Sequence, residues 1–399
     1  MPTDWMMQAE AMREELIARR RDFHQHPELA FQETRTAGIV AHELNQLGLE
    51  VITGVGKTGV VGILEGEHEG PTVLVRCDMD ALPIVEANTT DYISTAPGKM
   101  HACGHDGHTA IGLGVARMLA AQRPSMAGRV KFMFQPAEEI AQGAQAMIRD
   151  GVLSNPAPEV SLGLHLWNSL PVGEIGITAG PAMSGIDTFS IIVRGNGGHS
   201  ASPEQTHDPV IAGALIVNAL QTIASRNVSG FDTAIVSVTT FHAGDADNVI
   251  PSEAKLTGTF RSFRPEIHDL IERRLREIAT GIAASLQCTA DVVSASLTPP
   301  LVNDAETVNR LRTAFSQIKP STSGSLVWRE QVQWMAAEDM AIVLSKVPGA
   351  FLFVGSANPE RDLMYPHHHP RFDFDEAALP IAAGLLATAV AEYVLPETR

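Results

Sequence analysis

The segment TVLVRCDMDALP, residues 72–83, joins a short apolar run to two carboxylates. The run predicts a buried strand, and Asp78 and Asp80 fall where that strand ends. Similar runs recur along the chain, with helical periodicity between them. Strands are predicted at residues 60–64, 72–75, 130–134, 160–166 and 350–354, and helices at 5–21, 34–47, 107–121, 139–149, 304–318, 336–345 and 375–394. This alternation predicts an α/β sheet covered by helices, with sites at the carboxyl ends of its strands.

The middle of the chain has a different pattern. Strands are predicted at residues 187–194, 234–241, 254–260 and 289–295, and helices at 208–224 and 266–284. The resulting order β-α-β-β-α-β is that of a ferredoxin-like unit. We therefore predict a small α+β domain at residues 184–296, inserted into an α/β domain formed by residues 1–183 and 297–399.

Composition and charge exclude several classes of protein. The chain has 399 residues and a net charge of −17, so it repels a phosphate backbone, and we find no basic stretch that would bind nucleic acid. Three cysteines argue against a disulfide framework. The sequence has neither a signal-peptide pattern nor an apolar run approaching the roughly 18 residues of a membrane span. These features predict a soluble cytoplasmic protein without a nucleic-acid or membrane partner.

The densest group of reactive side chains is MHACGHDGH, residues 100–108. Its histidines, cysteine and aspartate are types that bind borderline metal ions. The spacing of Cys103 and His105 places both side chains on one side of an extended segment. The simpler alternative is a polar helix cap that happens to contain a cysteine.

Further ligand-type residues follow at other predicted strand ends. Glu138 and Glu139 come after the strand at 130–134, His165 lies in the strand at 160–166, and a histidine triplet occupies residues 367–369. Each has a structural explanation by itself, because acids complement a helix N-terminus and a strand histidine is often a core residue. Together they favour one metal site at one sheet edge.

Two adjacent glutamates suit metal-assisted hydrolysis. One can bind the ion, and the other can take a proton from the attacking water. The sequence contains no G-x-S-x-G and no phosphate-binding G-x-x-x-x-G-K-[ST], which removes the rival serine-hydrolase and nucleotide-binding interpretations.

These motifs resemble the M20 metallopeptidase superfamily, and specifically its aminoacylase/hippurate hydrolase branch. The resemblance extends in order over nearly the whole chain. The matching stretches are HQHPELAFQE (24–33), DMDALPI (78–84), MHACGHDGHTA (100–110), FQPAEE (134–139), GLHLW (163–167), GGHSASPE (197–204), NVIPSEA (248–254), AEDM (337–340) and HHPRFDFDE (368–376).

The resemblance implies a metal-binding domain and a lid domain, commonly a homodimer through the lid, with one or two divalent ions. The metal ligands would be Cys103, His105, Glu139, His165 and His368. Glu138 would be the general base, and Asp80 would orient a ligand. His199 would reach the site from a lid, that of the partner subunit, and stabilise the oxyanion, while Asn248 and Arg261 would contact substrate.

The chain departs from the family pattern in three places. Cys77 replaces a small residue, Met340 replaces a phenylalanine, and the family has one histidine where this chain has three. We assign His368 because it lies two residues before a proline, with His367 and His369 as alternatives.

The predicted function is metal-dependent hydrolysis of N-acyl amino acids. The alternatives are a dipeptidase or carboxypeptidase of the same superfamily, and a metal-binding protein without catalysis. Retention of Glu138 beside Glu139 argues against the last of these. The ligand types leave Zn, Mn, Co and Ni open, and the acyl group is open as well.

Overall fold

The computed structural model describes residues 4–318 and 326–395. The outermost ends of the predicted domain ranges, residues 1–3 and 396–399, lie outside the described residues. The chain forms two compact units. The larger unit comprises Met1–Gly180, Val302–Val332 and Asp339–Arg399, and the smaller unit comprises Pro181–Leu301 and Gln333–Glu338.

The helices and strands have the following bounds. The helices are α1 (Trp5–Ala11), α2 (Arg13–Gln25), α3 (Thr34–Gln46), α4 (His105–Ala120), α5 (Gly143–Arg149), α6 (Pro209–Thr222), α7 (Pro265–Ser285), α8 (Ala305–Ser316), α9 (Met340–Leu344) and α10 (Ala378–Val394). The strands are β1 (Glu50–Val55), β2 (Gly59–Glu65), β3 (His68–Asp78), β4 (Ala127–Gln135), β5 (Val160–Pro171), β6 (Glu174–Gly176), β7 (Gly180–Met183), β8 (Gly185–Arg194), β9 (Gly198–His199), β10 (Ala234–Ala243), β11 (Val249–Ile250), β12 (Glu253–Ser262), β13 (Thr289–Thr298), β14 (Leu301–Asn303), β15 (Val327–Arg329) and β16 (Gly349–Ala357).

The larger unit is built around a sheet with the strand order β1-β2-β4-β3-β5-β16-β6-β15. Strands β4, β3, β5 and β16 are parallel to one another, while β1 and β2 are antiparallel additions at one edge. The parallel strands are buried along most of their lengths, as continuous apolar runs predict. Helices α4 and α10 pack on them, and α10 is buried around most of its circumference. The predicted α/β sheet is confirmed.

Several predicted elements differ in detail. The helix at 5–21 is interrupted at Met12, where α1 gives way to α2. The helix at 336–345 is confined to α9. Strand β1 was not predicted, because most of its side chains are exposed and it lacks an apolar run.

The smaller unit contains β8, α6, β10, β12, α7 and β13 in chain order. Its sheet has the order β10-β12-β8-β13, and every neighbouring pair is antiparallel. This is the arrangement expected of a ferredoxin-like unit. Alternate residues of β8 and β12 pack with the apolar faces of α6 and α7 to form a separate core.

Residues Pro209–Asn227, which are α6 and the wider helical turn after it, are long and apolar enough to cross a membrane by length and composition. Five α6 residues are nevertheless buried within the smaller unit. A core helix of a folded domain has the same properties.

Candidate metal centre

Three segments meet at the carboxyl-terminal edge of the parallel strands. β3 ends at Asp78 and β4 at Gln135, and these two residues are paired in register. Gly163 of β5 pairs with Arg76 of β3, so the residues that follow in each strand lie at the same edge. Asp80, Glu138 and His165 are brought together in this way, as expected for a site in a parallel sheet.

Cys103, His105 and His165 form the most buried part of the cluster. One ligand atom from each lies within 4.8 Å of the others, and the Cys103 Sγ is 3.5 Å from the His165 Nε2. The expected extended conformation between Cys103 and His105 is wrong. Gly104 is left-handed, with φ at 93°, and His105 is the first residue of α4. The turn at Gly104, and not strand alternation, directs both side chains to the cluster.

Glu138, Glu139 and His368 complete the group. The His105 Nε2 is 3.9 Å from the Glu138 carboxylate and 3.8 Å from the Glu139 carboxylate. The His368 Nε2 lies 3.2 Å from Glu139 Oε2. Cys103, Glu139 and His368 also present ligand atoms within 4.8 Å of one another.

The three consecutive histidines have different surroundings. His368 reaches Glu139, and about half of its side chain, 53%, is exposed. His367 is partly buried and donates through Nε2 to the Leu166 carbonyl, 3.0 Å away. The His369 ring stacks on Tyr365 with a centroid distance of 4.7 Å.

Hydrogen bonds orient the two buried imidazoles. His105 donates through Nδ1 to the Asp80 carbonyl at 2.9 Å, with Asp80 Oδ1 at 3.3 Å. His165 donates through Nδ1 to the Leu166 carbonyl at 2.6 Å. In each ring the Nδ1 proton is held by a carbonyl oxygen, so Nε2 is the nitrogen that faces the cluster. Protein surroundings orient metal-binding histidines in this way. Asp80 also accepts from the Glu139 backbone N–H at 3.0 Å.

Burial is the largest single influence on the pKa values of His165, His105 and Cys103. Burial, together with His108 and His367, lowers the pKa of His165 well below its usual value. Burial also lowers the pKa of His105, but Asp78 and Cys103 outweigh it and raise that pKa well above the usual value. Burial and the nearby Glu139 raise the pKa of the Cys103 thiol. A bound cation reverses this last effect, because a coordinating thiol loses its proton.

The residues fit a divalent metal ion. The buried His105 Nε2 and Glu139 Oε1 have no hydrogen-bond partner within the described chain, and unpaired buried polar atoms are costly. Both atoms lie in groups that could hold a metal ion. Thiolate, imidazole and carboxylate together suit borderline transition-metal ions.

A second layer of contacts lies behind the cluster. Asp78 accepts from His108 Nδ1 at 2.6 Å, and His108 Nε2 accepts from the Leu166 N–H at 2.9 Å. The buried Arg76 binds Asp78 at 2.6 Å and Asp339 at 3.0 Å. Sequence reasoning did not assign a role to Arg76. The signal was a cationic residue inside an apolar strand run, which requires a buried partner.

The three remaining candidate residues lie in the smaller unit. β9 pairs with β11, which places His199 opposite Val249, and the Asn248 carbonyl accepts from the Ser200 N–H at 3.1 Å. His199 and Asn248 are therefore neighbours. Arg261 is on β12, where it is about half-buried and donates to the Met335 carbonyl at 2.9 Å.

Comparison with known proteins identifies the family. Residues 74–392 match the model of peptidase family M20/M25/M40. The chain belongs to this family, and the resemblance inferred from its motifs is confirmed. It is a metal-dependent amidohydrolase.

Individual relatives match this chain over most of their lengths. The N-acetylcysteine deacetylase of Bacillus subtilis is 38% identical, over 96% of this chain and 97% of the relative. The IAA-amino acid hydrolase ILR1-like 5 of Arabidopsis thaliana is 36% identical, over 95% of this chain and 87% of the relative. A crystal structure of the Bacillus subtilis YXEP protein, described as a dinuclear metal-binding peptidase of family M20, has a TM-score of 0.83 and 35% identity, covering 95% of this chain and 98% of that one.

Proposed function

We propose that the protein hydrolyses the amide bond of N-acyl amino acids, with Glu138 as the general base. The observation that carries this proposal is the pair of adjacent glutamates at the buried Cys103–His105–His165 cluster, with both carboxylates within 4 Å of the His105 Nε2. The named substrates of the two relatives above support the substrate class, since both are acylated amino acids.

We assign the metal ligands as Cys103, His105, Glu139, His165 and His368. They would hold one or two ions of Zn, Mn, Co or Ni, and the dinuclear description of the YXEP protein supports two. When bound, the metal supplies Lewis-acid polarisation of the amide carbonyl and of water. Asp80 keeps the His105 ring in position and binds the Glu139 backbone.

In this mechanism Glu138 moves the protons. Its carboxylate takes a proton from the attacking water, and the protonated form then gives that proton to the leaving nitrogen. The products are a carboxylic acid and a free amino acid. Glu139 differs in role, because its Oε2 lies beside His368.

We assign the smaller unit as a lid and dimerisation domain, residues 184–296 in the sequence prediction. His199 would donate to the developing oxyanion, and Asn248 beside it would contact substrate. Arg261 would bind the substrate carboxylate, for which its planar fork is suited.

We further propose a homodimer through this unit, located in the cytoplasm. β10 is an edge strand of its sheet, and apolar side chains are exposed on it and on α6. They are Ile211, Leu215, Ile235 and Phe241. An edge strand flanked by exposed apolar side chains favours pairing with a second copy of the chain across a two-fold axis. The three unpaired cysteines support a reducing compartment.

A substrate panel tests the proposal. N-acetyl-methionine, hippurate and a dipeptide are assayed before chelation, after chelation, and after addition of Zn²⁺, Mn²⁺ or Co²⁺. We expect chelation to abolish amino acid release from the N-acyl substrates and added metal to restore it. Cleavage of the dipeptide alone would support the peptidase alternative instead.

Glu138→Gln and Glu139→Gln separate the two glutamate roles. We expect Glu138→Gln to retain its metal and to lose on the order of a hundredfold or more in kcat, as expected when a general base is removed. Glu139→Gln should lose metal. If Glu138→Gln kept most of its kcat with metal bound, Glu138 would not be the base.

A further inference from the structure

The turn that carries Glu138 and Glu139 has an unfavourable backbone conformation at both ends. Residues Glu138–Ile140 form a single tight helical turn between two left-handed alanines. Ala137 has φ 54° and ψ 38°, and Ala141 has φ 53° and ψ 37°. A residue with a β-carbon is disfavoured in this region, so surrounding contacts must hold the turn.

Glu33 supplies such a contact from a distant part of the chain. Its side chain is fully buried, and its Oε1 accepts from the Ala137 N–H at 3.0 Å, across 104 residues of sequence. The same oxygen accepts from the Phe31 N–H at 3.0 Å, and Oε2 accepts from the Thr58 hydroxyl at 2.5 Å. Phe31 is also left-handed, with φ 61°. One oxygen of Glu33 thus accepts hydrogen bonds from the backbone N–H groups of Phe31 and Ala137, and both of these residues are left-handed.

Asp80 holds the other side of Glu138. Its Oδ2 accepts from the Glu139 N–H at 3.0 Å, so buried carboxylates bind the backbone immediately before and immediately after Glu138. A buried carboxylate is costly unless it is hydrogen-bonded. The three donors that converge on Glu33 compensate for this cost, and the two backbone donors fix the position of Oε1.

We propose that Glu33 is a positioning residue for Glu138. By binding the Ala137 N–H, it keeps Ala137 left-handed and so sets the direction in which the Glu138 side chain leaves the turn. The inference rests on the proposed role of Glu138 as general base. It predicts that loss of Glu33 slows the reaction in folded, metal-loaded enzyme.

Four variants of the full chain test this inference, each assayed for kcat, KM and bound metal. We expect Glu33→Ala to lower kcat per bound metal on the order of a hundredfold, the size of effect that a displaced catalytic group produces, with little change in KM. Glu33→Gln should remain close to wild type, because its amide oxygen can still accept from Ala137. Thr58→Val, the matched control, removes only the contact to Oε2 and should also remain close to wild type.

Ala137→Gly, the fourth variant, distinguishes positioning from general stability. Glycine adopts the left-handed conformation readily, so Ala137→Gly added to Glu33→Ala should restore part of kcat, by about tenfold. If Glu33 were needed only for folding, Glu33→Ala would lower the melting temperature, and the added Ala137→Gly would not restore kcat. If Glu33→Ala does not fold, Glu33→Asp takes its place. The aspartate side chain is shorter by one methylene, so its carboxylate is withdrawn from the Ala137 N–H.

Two outcomes would overturn the inference. One is a wild-type kcat per bound metal in Glu33→Ala or Glu33→Asp, and the other is no recovery on addition of Ala137→Gly. Glu138→Gln is assayed in parallel to separate the two proposals. If it remains active, the assignment of the base is wrong. If it is inactive while Glu33→Ala is fully active, only the positioning role of Glu33 is wrong.

Discussion

His368 differs from its two histidine neighbours in what its ring contacts. Its Nε2 lies beside Glu139, whereas the His369 ring stacks on Tyr365. We therefore expect His368→Ala to lower metal affinity at least about tenfold, since even partners behind a metal ligand contribute that much. His369→Ala is the matched control and should bind metal as the wild type does. Both expectations are checked by measuring the metal that each variant retains after dialysis against a series of free metal concentrations. Equal retention by the two variants would contradict the assignment of His368 as a ligand.

The residue types of the cluster could be predicted from sequence. The residues that hold them in position could not. Cys103, His105 and Glu139 belong to compact motifs, so their types and spacing pointed to a metal. Glu33 and Arg76 act through contacts with residues far along the chain. Nothing in local periodicity indicates such a pairing. The Cys103–His105 conformation was predicted wrongly because strand spacing was applied to a segment that turns at Gly104.

At the level of elements, buried charges join α2 to the segment that follows the histidine triplet. Arg20 of α2 is fully buried and binds Asp106 at 2.8 Å, Asp373 at 2.7 Å and Glu376 at 3.2 Å. Tyr92 also donates to Asp373 at 2.7 Å. Four parts of the chain therefore meet at this network: α2, the loop with Tyr92, the start of α4, and the segment with Asp373. Together with α4 it anchors the segments that carry His105 and His368.

This network predicts a definite dependence of stability on pH. Burial would raise the pKa of Asp373, but Arg20 and the hydrogen bond from Tyr92 lower it below its usual value. A lowered pKa in the folded state gives stability that is present above the unfolded pKa of about 3.9. That stability is lost as the pH falls through the folded-state pKa.

We expect Asp373→Asn to lower the free energy of unfolding by about 3 kcal/mol at neutral pH, because Arg20 loses a buried partner. Between about pH 5 and pH 3 its stability should fall less steeply than that of the wild type. Urea midpoints of the metal-free proteins measure both effects. Asp362→Asn, which alters the exposed pair with Arg371, should match the wild type. Parallel acid profiles for Asp373→Asn and the wild type would contradict the prediction.

Elements with a buried apolar run were predictable, and those formed mainly by pairing were not. β3, β5 and β16 are buried along most of their lengths, so composition alone indicated them. β1 is mostly exposed and is held by its ladder to β2. The two-residue strands β9 and β11 bring His199 and Asn248 together, yet two residues contain no periodicity from which to predict a strand.

At the scale of the whole molecule, the candidate chemistry is divided between the two units. The proposed ligands and base are in the larger unit, and His199, Asn248 and Arg261 are in the smaller unit. If the enzyme is a homodimer, the smaller unit of one subunit can serve the metal centre of the other. In that arrangement, one substitution in the larger unit and one in the smaller unit can be placed on different chains of the same dimer.

Mixing two inactive variants tests this arrangement. His199→Ala retains Glu138, and Glu138→Gln retains His199, so a heterodimer with exchanged lids has one site with both groups intact. Random pairing should restore about a quarter of wild-type activity, because half of the dimers are heterodimers with one working site in two. Leu215→Arg on both chains is the control. It puts charge on the exposed face of α6 and should abolish both dimerisation, measured by sedimentation, and the recovery. If purified heterodimers remained inactive, His199 would act within its own subunit or outside the reaction.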